Sequence, residues 1–108
     1  MDLGITDRVA LVAASSKGLG RAVAEELAAE GAHVVMCARG SDALREAAEA
    51  VRGRGTGDVL PMETDLSDAE SIRKLTDAAL SRFGRVDILV NNAGGPPSGS
   101  FEDHAPEA

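Results

Sequence analysis

Val9-Ala10-Leu11-Val12-Ala13-Ala14 runs directly into Ser15-Ser16-Lys17-Gly18-Leu19-Gly20, and this junction decides the fold. The first six residues are a continuous apolar run, too short for a helix and Val-rich enough to be a buried strand. From Gly18 to Glu30 the period changes. Leu19, Val23 and Leu27 recur every four residues, while Arg21, Glu25, Glu26 and Glu30 fall mostly on the other side, the pattern of an amphipathic helix. A strand that enters a helix through glycines brings unpaired N–H groups and the positive end of the helix dipole to the turn, which suits a phosphate. The same glycines suit a plain tight turn at a helix start. Strictly read, the G-x-G-x-x-G fingerprint is absent, because Val23 stands at the third glycine position.

Reading outward, Gly31 closes the first helix and His33 to Ala38 forms a second strand. A second helix opens at Ser41 with Leu44, Ala47, Ala48 and Val51 on one stripe, and Gly53, Gly55 and Gly57 make its exit loop. Asp58 to Glu63 reads as a third strand whose Pro61 cannot donate to a sheet ladder, which fits a sheet edge or a strand end. The third helix is introduced by Ser67-Asp68-Ala69-Glu70, which has capping-box spacing, and carries Ile72, Leu75, Ala79 and Phe83 as its buried stripe before Gly84. Val86 to Asn91 is the fourth strand. Regular alternation of strand and helix specifies an α/β fold with an open parallel sheet. From Gly94 to Ala108 the chain is rich in Gly, Pro and Ser and reads as a loop.

Composition narrows the functional classes. The 108 residues carry 11 basic and 18 acidic groups, a net charge of −7, which argues against a phosphate-neutralising nucleic-acid binder. No apolar run approaches the roughly 18 residues of a membrane span, and MDLGITDR has neither the basic nor the apolar region of a leader. A cytoplasmic protein is expected, with no nucleic-acid or membrane partner. Cys37 is the single cysteine, and with His33 and His104 it offers no metal-ligand spacing. Core or solvated positions account for all three, so no metal site is assigned.

The segment AASSKGLGRAVAEELAAEGAHVVMCAR, with Asp65-Leu66 and Asn91-Asn92-Ala93-Gly94, resembles the classical short-chain dehydrogenase/reductase family, in its beta-ketoacyl-acyl-carrier-protein reductase-like branch. That family opens with T-G-x-x-x-G-[IL]-G and ends its fourth strand in N-N-A-G. Here Ala13-Ala14 replaces Thr-Gly. The resemblance implies a Rossmann-type sheet, incomplete at four strands and three helices, in the order third, second, first, fourth. Residues 1–94 would be the N-terminal part of the dinucleotide-binding domain and residues 95–108 a loop leading onward. It also implies that Ser15, Ser16, Lys17, Gly18, Leu19 and Gly20 surround adenosine ribose and pyrophosphate. Asp65 and Leu66 would flank adenine, and Asn92, Ala93 and Gly94 would lie by the adenine ribose and the nicotinamide.

At the end of the second strand, an NAD site places a carboxylate for the ribose 2′-hydroxyl, whereas an NADP site offers an arginine to the 2′-phosphate. Ala38-Arg39 stands there, with no acid before Asp42 and with Lys17 as a second cation, so NADP(H) is expected over NAD(H). The family's carbonyl chemistry uses a serine and a Tyr-x-x-x-Lys pair, but the chain contains no Tyr. Two readings follow: the cofactor-binding half of a carbonyl reductase or alcohol dehydrogenase, whose small substrate binds only the full-length form, or a non-catalytic nucleotide-binding or interaction module. The first is preferred. Its bare fourth strand would be a candidate for pairing with another copy, making a homo-oligomer.

Overall fold

The computed structural model describes residues 4–91. Strands β1 (Val9–Val12), β2 (His33–Ala38), β3 (Val59–Glu63) and β4 (Ile88–Val90) alternate with helices α1 (Gly18–Ala29), α2 (Ser41–Arg52) and α3 (Ala69–Phe83). They form one parallel sheet in the order β3-β2-β1-β4, the expected order, with the Pro61-bearing strand at one edge.

Strand alternation sorts the core into two faces. Val12, Val34, Met36 and Ala38 pack under α1 and α2 with Ala24, Ala28, Leu44, Ala47, Ala48 and Val51. Val9, Leu11, Ala13, Val35 and Cys37 pack under α3 with Leu75 and Ala79. Val12, Val34, Val35 and Met36 are wholly buried, and each such side chain contributes about 1.5–3 kcal/mol of transfer free energy.

Three expectations for the helices need correction. The sheet-facing stripe of α1 is Gly20, Ala24 and Ala28, with Val23 and Leu27 half-buried beside it and Leu19 68% exposed. The stripe is turned by one residue because α1 lies so close to the end of β1 that only small residues fit between. On α3, Leu75 and Ala79 are buried, Phe83 is half-buried, and Ile72 is 39% exposed. The helix also starts one residue later than the capping-box spacing indicates. Asp68 is its N-cap, accepting from the Glu70 amide, while Ser67 turns back to Asp65.

The N-terminal ends of β1 and β4 are tied by Asp87. Its carboxylate accepts from the Val9 amide at 2.9 Å, and its own amide donates to the Val9 carbonyl at 2.8 Å. Arg85 braces the same carboxylate from both oxygens, and Arg8 lies 3.7 Å away.

Candidate functional site

The C-terminal ends of the strands bring together the turn after β1, the residue after β2 and the loop after β3. β1 stops at Val12, so Ala13 and Ala14 belong to the turn, and the Ala13 amide donates to the Val90 carbonyl at 2.9 Å. Ala14 sits at φ 53°, in the left-handed region where a Cβ is unfavourable. This is the position at which the resembled motif has glycine, and the alanine keeps the glycine conformation at a cost in strain.

Ser15 is wholly buried and anchors the turn to β2. Its hydroxyl accepts from the Cys37 amide at 3.0 Å and donates to the Cys37 carbonyl at 3.3 Å, while its own amide donates to that same carbonyl at 2.9 Å. Burial pushes the Cys37 thiol up from its ordinary pKa, which keeps it protonated and unreactive.

Beyond Ser15 the turn opens to solvent. Ser16 is half-buried, whereas Lys17, Gly18 and Leu19 are exposed. Gly20 is buried against the turn, and a Cβ there would stand 2.3 Å from the Ala14 carbonyl oxygen, so only glycine fits. No side chain caps the start of α1 at Lys17, in contrast to Asp68 on α3. The first-turn amides of α1 therefore face outward at a helix end of positive potential, an arrangement that favours an anion.

Arg39 follows β2 directly and is exposed, and the α2 N-cap beside it, Gly40, also lacks a capping side chain. Within the described residues the Lys17 and Arg39 side chains make no hydrogen bond or ion pair. Arg39 is nevertheless close enough to influence Asp65. The Ser67 hydroxyl and amide, donating to one Asp65 oxygen at 2.6 and 2.9 Å, hold that carboxyl below the usual carboxylate range, and the Arg39 charge adds to the effect. The Asp65 amide donates to Ser71 at 2.9 Å, fixing the loop onto α3. Leu66 is half-buried against the α3-face core.

The turn, Arg39 and the Asp65-Leu66 loop thus share one end of the sheet. Asn92, Ala93, Gly94 and His104 lie outside the described residues. No group of side chains that could hold a metal occurs among the described residues, and none of their helices is long and apolar enough to cross a membrane. Sequence reasoning missed the Ser15–Cys37 bridge and the left-handed Ala14. The second was legible in principle, since the alanine occupies a glycine position of the motif.

The family model for short chain dehydrogenase matches residues 8–108. An 11-beta-hydroxysteroid dehydrogenase-like protein of Arabidopsis thaliana is 40% identical over 99 residues, covering 92% of this chain and 32% of its own length. L-Sorbose reductase of Gluconobacter frateurii, solved with NADPH and L-sorbose, superposes with a TM-score of 0.85 at 40% identity, over 99% of this chain and 41% of that one. An NAD+-bound xylitol dehydrogenase superposes with a TM-score of 0.81 at 28% identity, over 84% of this chain and 35% of that one. The chain therefore spans about a third of the length of the curated relative and about two fifths of the solved reductase.

Proposed function

Since the chain belongs to the short-chain dehydrogenase family, we propose that it is the dinucleotide-binding part of an oxidoreductase, and that it binds NADP(H) in preference to NAD(H). The observation that carries this reading is the convergence of an uncapped α1 terminus, a glycine-only contact at Gly20 and two cations, Lys17 and Arg39, whose side chains make no hydrogen bond or ion pair among the described residues, at one end of a parallel sheet. Open α/β sheets bind ligands outside the carboxyl ends of their strands, where the order reverses; here that is the junction of β1 with β4 and β2.

In this proposal the turn from Ser15 to Gly20 receives the pyrophosphate. The amides of Gly18, Leu19 and Gly20 and the Ser16 hydroxyl supply donors, Lys17 supplies charge, and the buried Ser15 holds the turn in shape. Arg39 meets the 2′-phosphate. Asp65 and Leu66 border the adenine, and Asn92, Ala93 and Gly94 extend the site toward the adenine ribose and nicotinamide. A bound nicotinamide supplies hydride chemistry between an alcohol and a carbonyl.

The chain's own residues bind and orient the cofactor, and they include no Tyr to donate a proton to a carbonyl oxygen. Binding without turnover is the expected behaviour of these 108 residues alone. The NADPH complex of the sorbose reductase supports the NADP reading, and the NAD+ complex of the xylitol dehydrogenase makes the competing dinucleotide the right control.

Fluorescence titration with NADPH and NADH tests the assignment. NADPH should bind more tightly, and Arg39→Asp should weaken NADPH by about tenfold or more, the scale of one charge-assisted contact. NADPH and NADH affinities that are equal and indifferent to Arg39→Asp would refute the preference.

A further inference from the structure

Among the described residues the buried polar ones are Ser15 and Thr64, and both stand beside the C-terminal end of β2. A buried hydroxyl is costly unless it is hydrogen-bonded, and both of these are. What each one holds is different.

The last pairing of β1 with β2 is Val12 with Met36, so Cys37 and Ala38 run on past the end of β1. Ser15 takes the place of the missing strand. Its hydroxyl accepts from the Cys37 amide at 3.0 Å and donates to the Cys37 carbonyl at 3.3 Å, and its amide donates to that carbonyl at 2.9 Å. On the other side of β2 the Thr64 amide donates to the Ala38 carbonyl at 2.8 Å, while the Thr64 hydroxyl stays on its own segment and donates to the Met62 carbonyl at 3.0 Å. One flank of β2 is therefore gripped by a side chain and the other by main chain alone.

Arg39 is the residue at which β2 leaves this double grip. Its side chain is exposed and makes no hydrogen bond or ion pair among the described residues, so its reach depends on where its backbone is held. Ser16 and Lys17 are the residues at which the turn leaves the same contact. In the NADP(H) assignment the turn takes the pyrophosphate and Arg39 the 2′-phosphate, two groups carried by one ribose. A ligand gains from both subsites together only if their separation is held before it arrives.

We propose that Ser15 is a positioning residue of the cofactor site, whose hydroxyl clasp on Cys37 holds the pyrophosphate turn and Arg39 at the separation that lets one dinucleotide engage both. Wholly buried, it touches neither phosphate itself. The proposal rests on the NADP(H) assignment and adds the residue that makes its two anion subsites act as one.

Equilibrium titrations of the 108-residue chain with three ligands test it. NADPH spans both subsites, ADP reaches only the turn, and adenosine 2′-monophosphate reaches only Arg39. Ser15→Ala should weaken NADPH by about tenfold and leave the other two within about twofold. Ser16→Ala, at a direct pyrophosphate contact, should instead weaken NADPH and ADP by the same factor. Thr64→Val removes the other buried hydroxyl and should leave all three ligands within about twofold. Ser15→Cys, close in size with a weak thiol donor and acceptor, should give an intermediate loss for NADPH, and it carries the test where the alanine variant does not fold by circular dichroism. NADPH affinity unchanged in both Ser15 variants, or weakened by no more than that of ADP, would overturn the proposal, the second by making Ser15 a support of the turn alone. Equal wild-type affinities for NADPH and NADH would remove the NADP(H) assignment and this proposal with it. A preference for NADPH that Ser15→Ala leaves intact would remove this proposal alone.

Discussion

At the N-terminal ends of the strands, charge and hydrogen-bonding groups are matched within the chain. Asp87 holds Val9 and Arg85, and Arg82 pairs with Asp58. His33 accepts from the Asp58 amide at 2.9 Å, stacks on Phe83 at 5.3 Å and lies 3.8 Å from Asp7. At the C-terminal ends of the same strands Ser15 and Asp65 are bonded within the chain, but other groups are left unmatched among the described residues. Two helix starts lack side-chain caps, Lys17 and Arg39 have no bonded partner among the described residues, and Ala14 is held in a strained conformation. One end is built for cohesion, whereas the other leaves positive potential and open amides unspent. That asymmetry is what a binding end requires, because groups satisfied within the chain have nothing left to offer a ligand.

Substitutions at the two ends should separate accordingly. The largest effect is expected for Gly20→Ala, whose methyl would meet the Ala14 carbonyl oxygen at 2.3 Å. Shifting α1 should cost about 1–3 kcal/mol in chemical denaturation and also weaken NADPH binding. Unchanged stability would show that the close contact is not needed. Next is His33→Ala, which removes an acceptor for the Asp58 amide and the stack on Phe83. It should cost about 1–2 kcal/mol while leaving the NADPH dissociation constant within about twofold, and a large affinity loss would break the separation of the two ends.

Ala14→Gly should act in the opposite sense. Relief of left-handed strain, partly offset by greater freedom of the unfolded chain, predicts a gain of up to about 1 kcal/mol, and a lower melting temperature would contradict the strain argument. The smallest effect is acid sensitivity. Asp87 and Asp65 both have pKa values lowered in the folded chain, the first chiefly by Arg85 and the Val9 amide, the second by Ser67. Their contribution is present above the ordinary carboxylate range and is lost as the pH falls below about 4 through the lowered folded values. Because both carboxyls are solvent-accessible the loss should be modest, and Asp87→Asn should flatten the acid limb of a stability–pH curve. A limb unaltered by that change would remove Asp87 from the account.

Much of the architecture was legible because its causes are local. Val-rich runs separated by period-four stretches mark strands and helices without tertiary information, and handedness restricts their arrangement. What escaped depends on distance in space. The period of α1 selects Leu19, Val23 and Leu27, but the closeness of α1 to Ala14 places the smaller Gly20, Ala24 and Ala28 against the sheet. Ile72 fits the apolar period of α3 yet lies on a flank that the described residues leave uncovered. Ser15 is indistinguishable from Ser16 as a residue type. Only the approach of the turn to Cys37 makes one a buried bridge and leaves the other half-exposed. Asp87 likewise has no sequence motif, because its partner Val9 lies 78 residues away.

The central claim is that the C-terminal strand ends of this chain bind the cofactor and the N-terminal ends do not. Amide chemical-shift mapping of the 108-residue chain during titration with NADPH tests it most directly. Saturable shifts should concentrate at Ser15 to Gly20, Arg39 and Asp65-Leu66, with Val9, His33, Asp58 and Asp87 unmoved. Shifts centred on the latter group, or none that saturate, would contradict it.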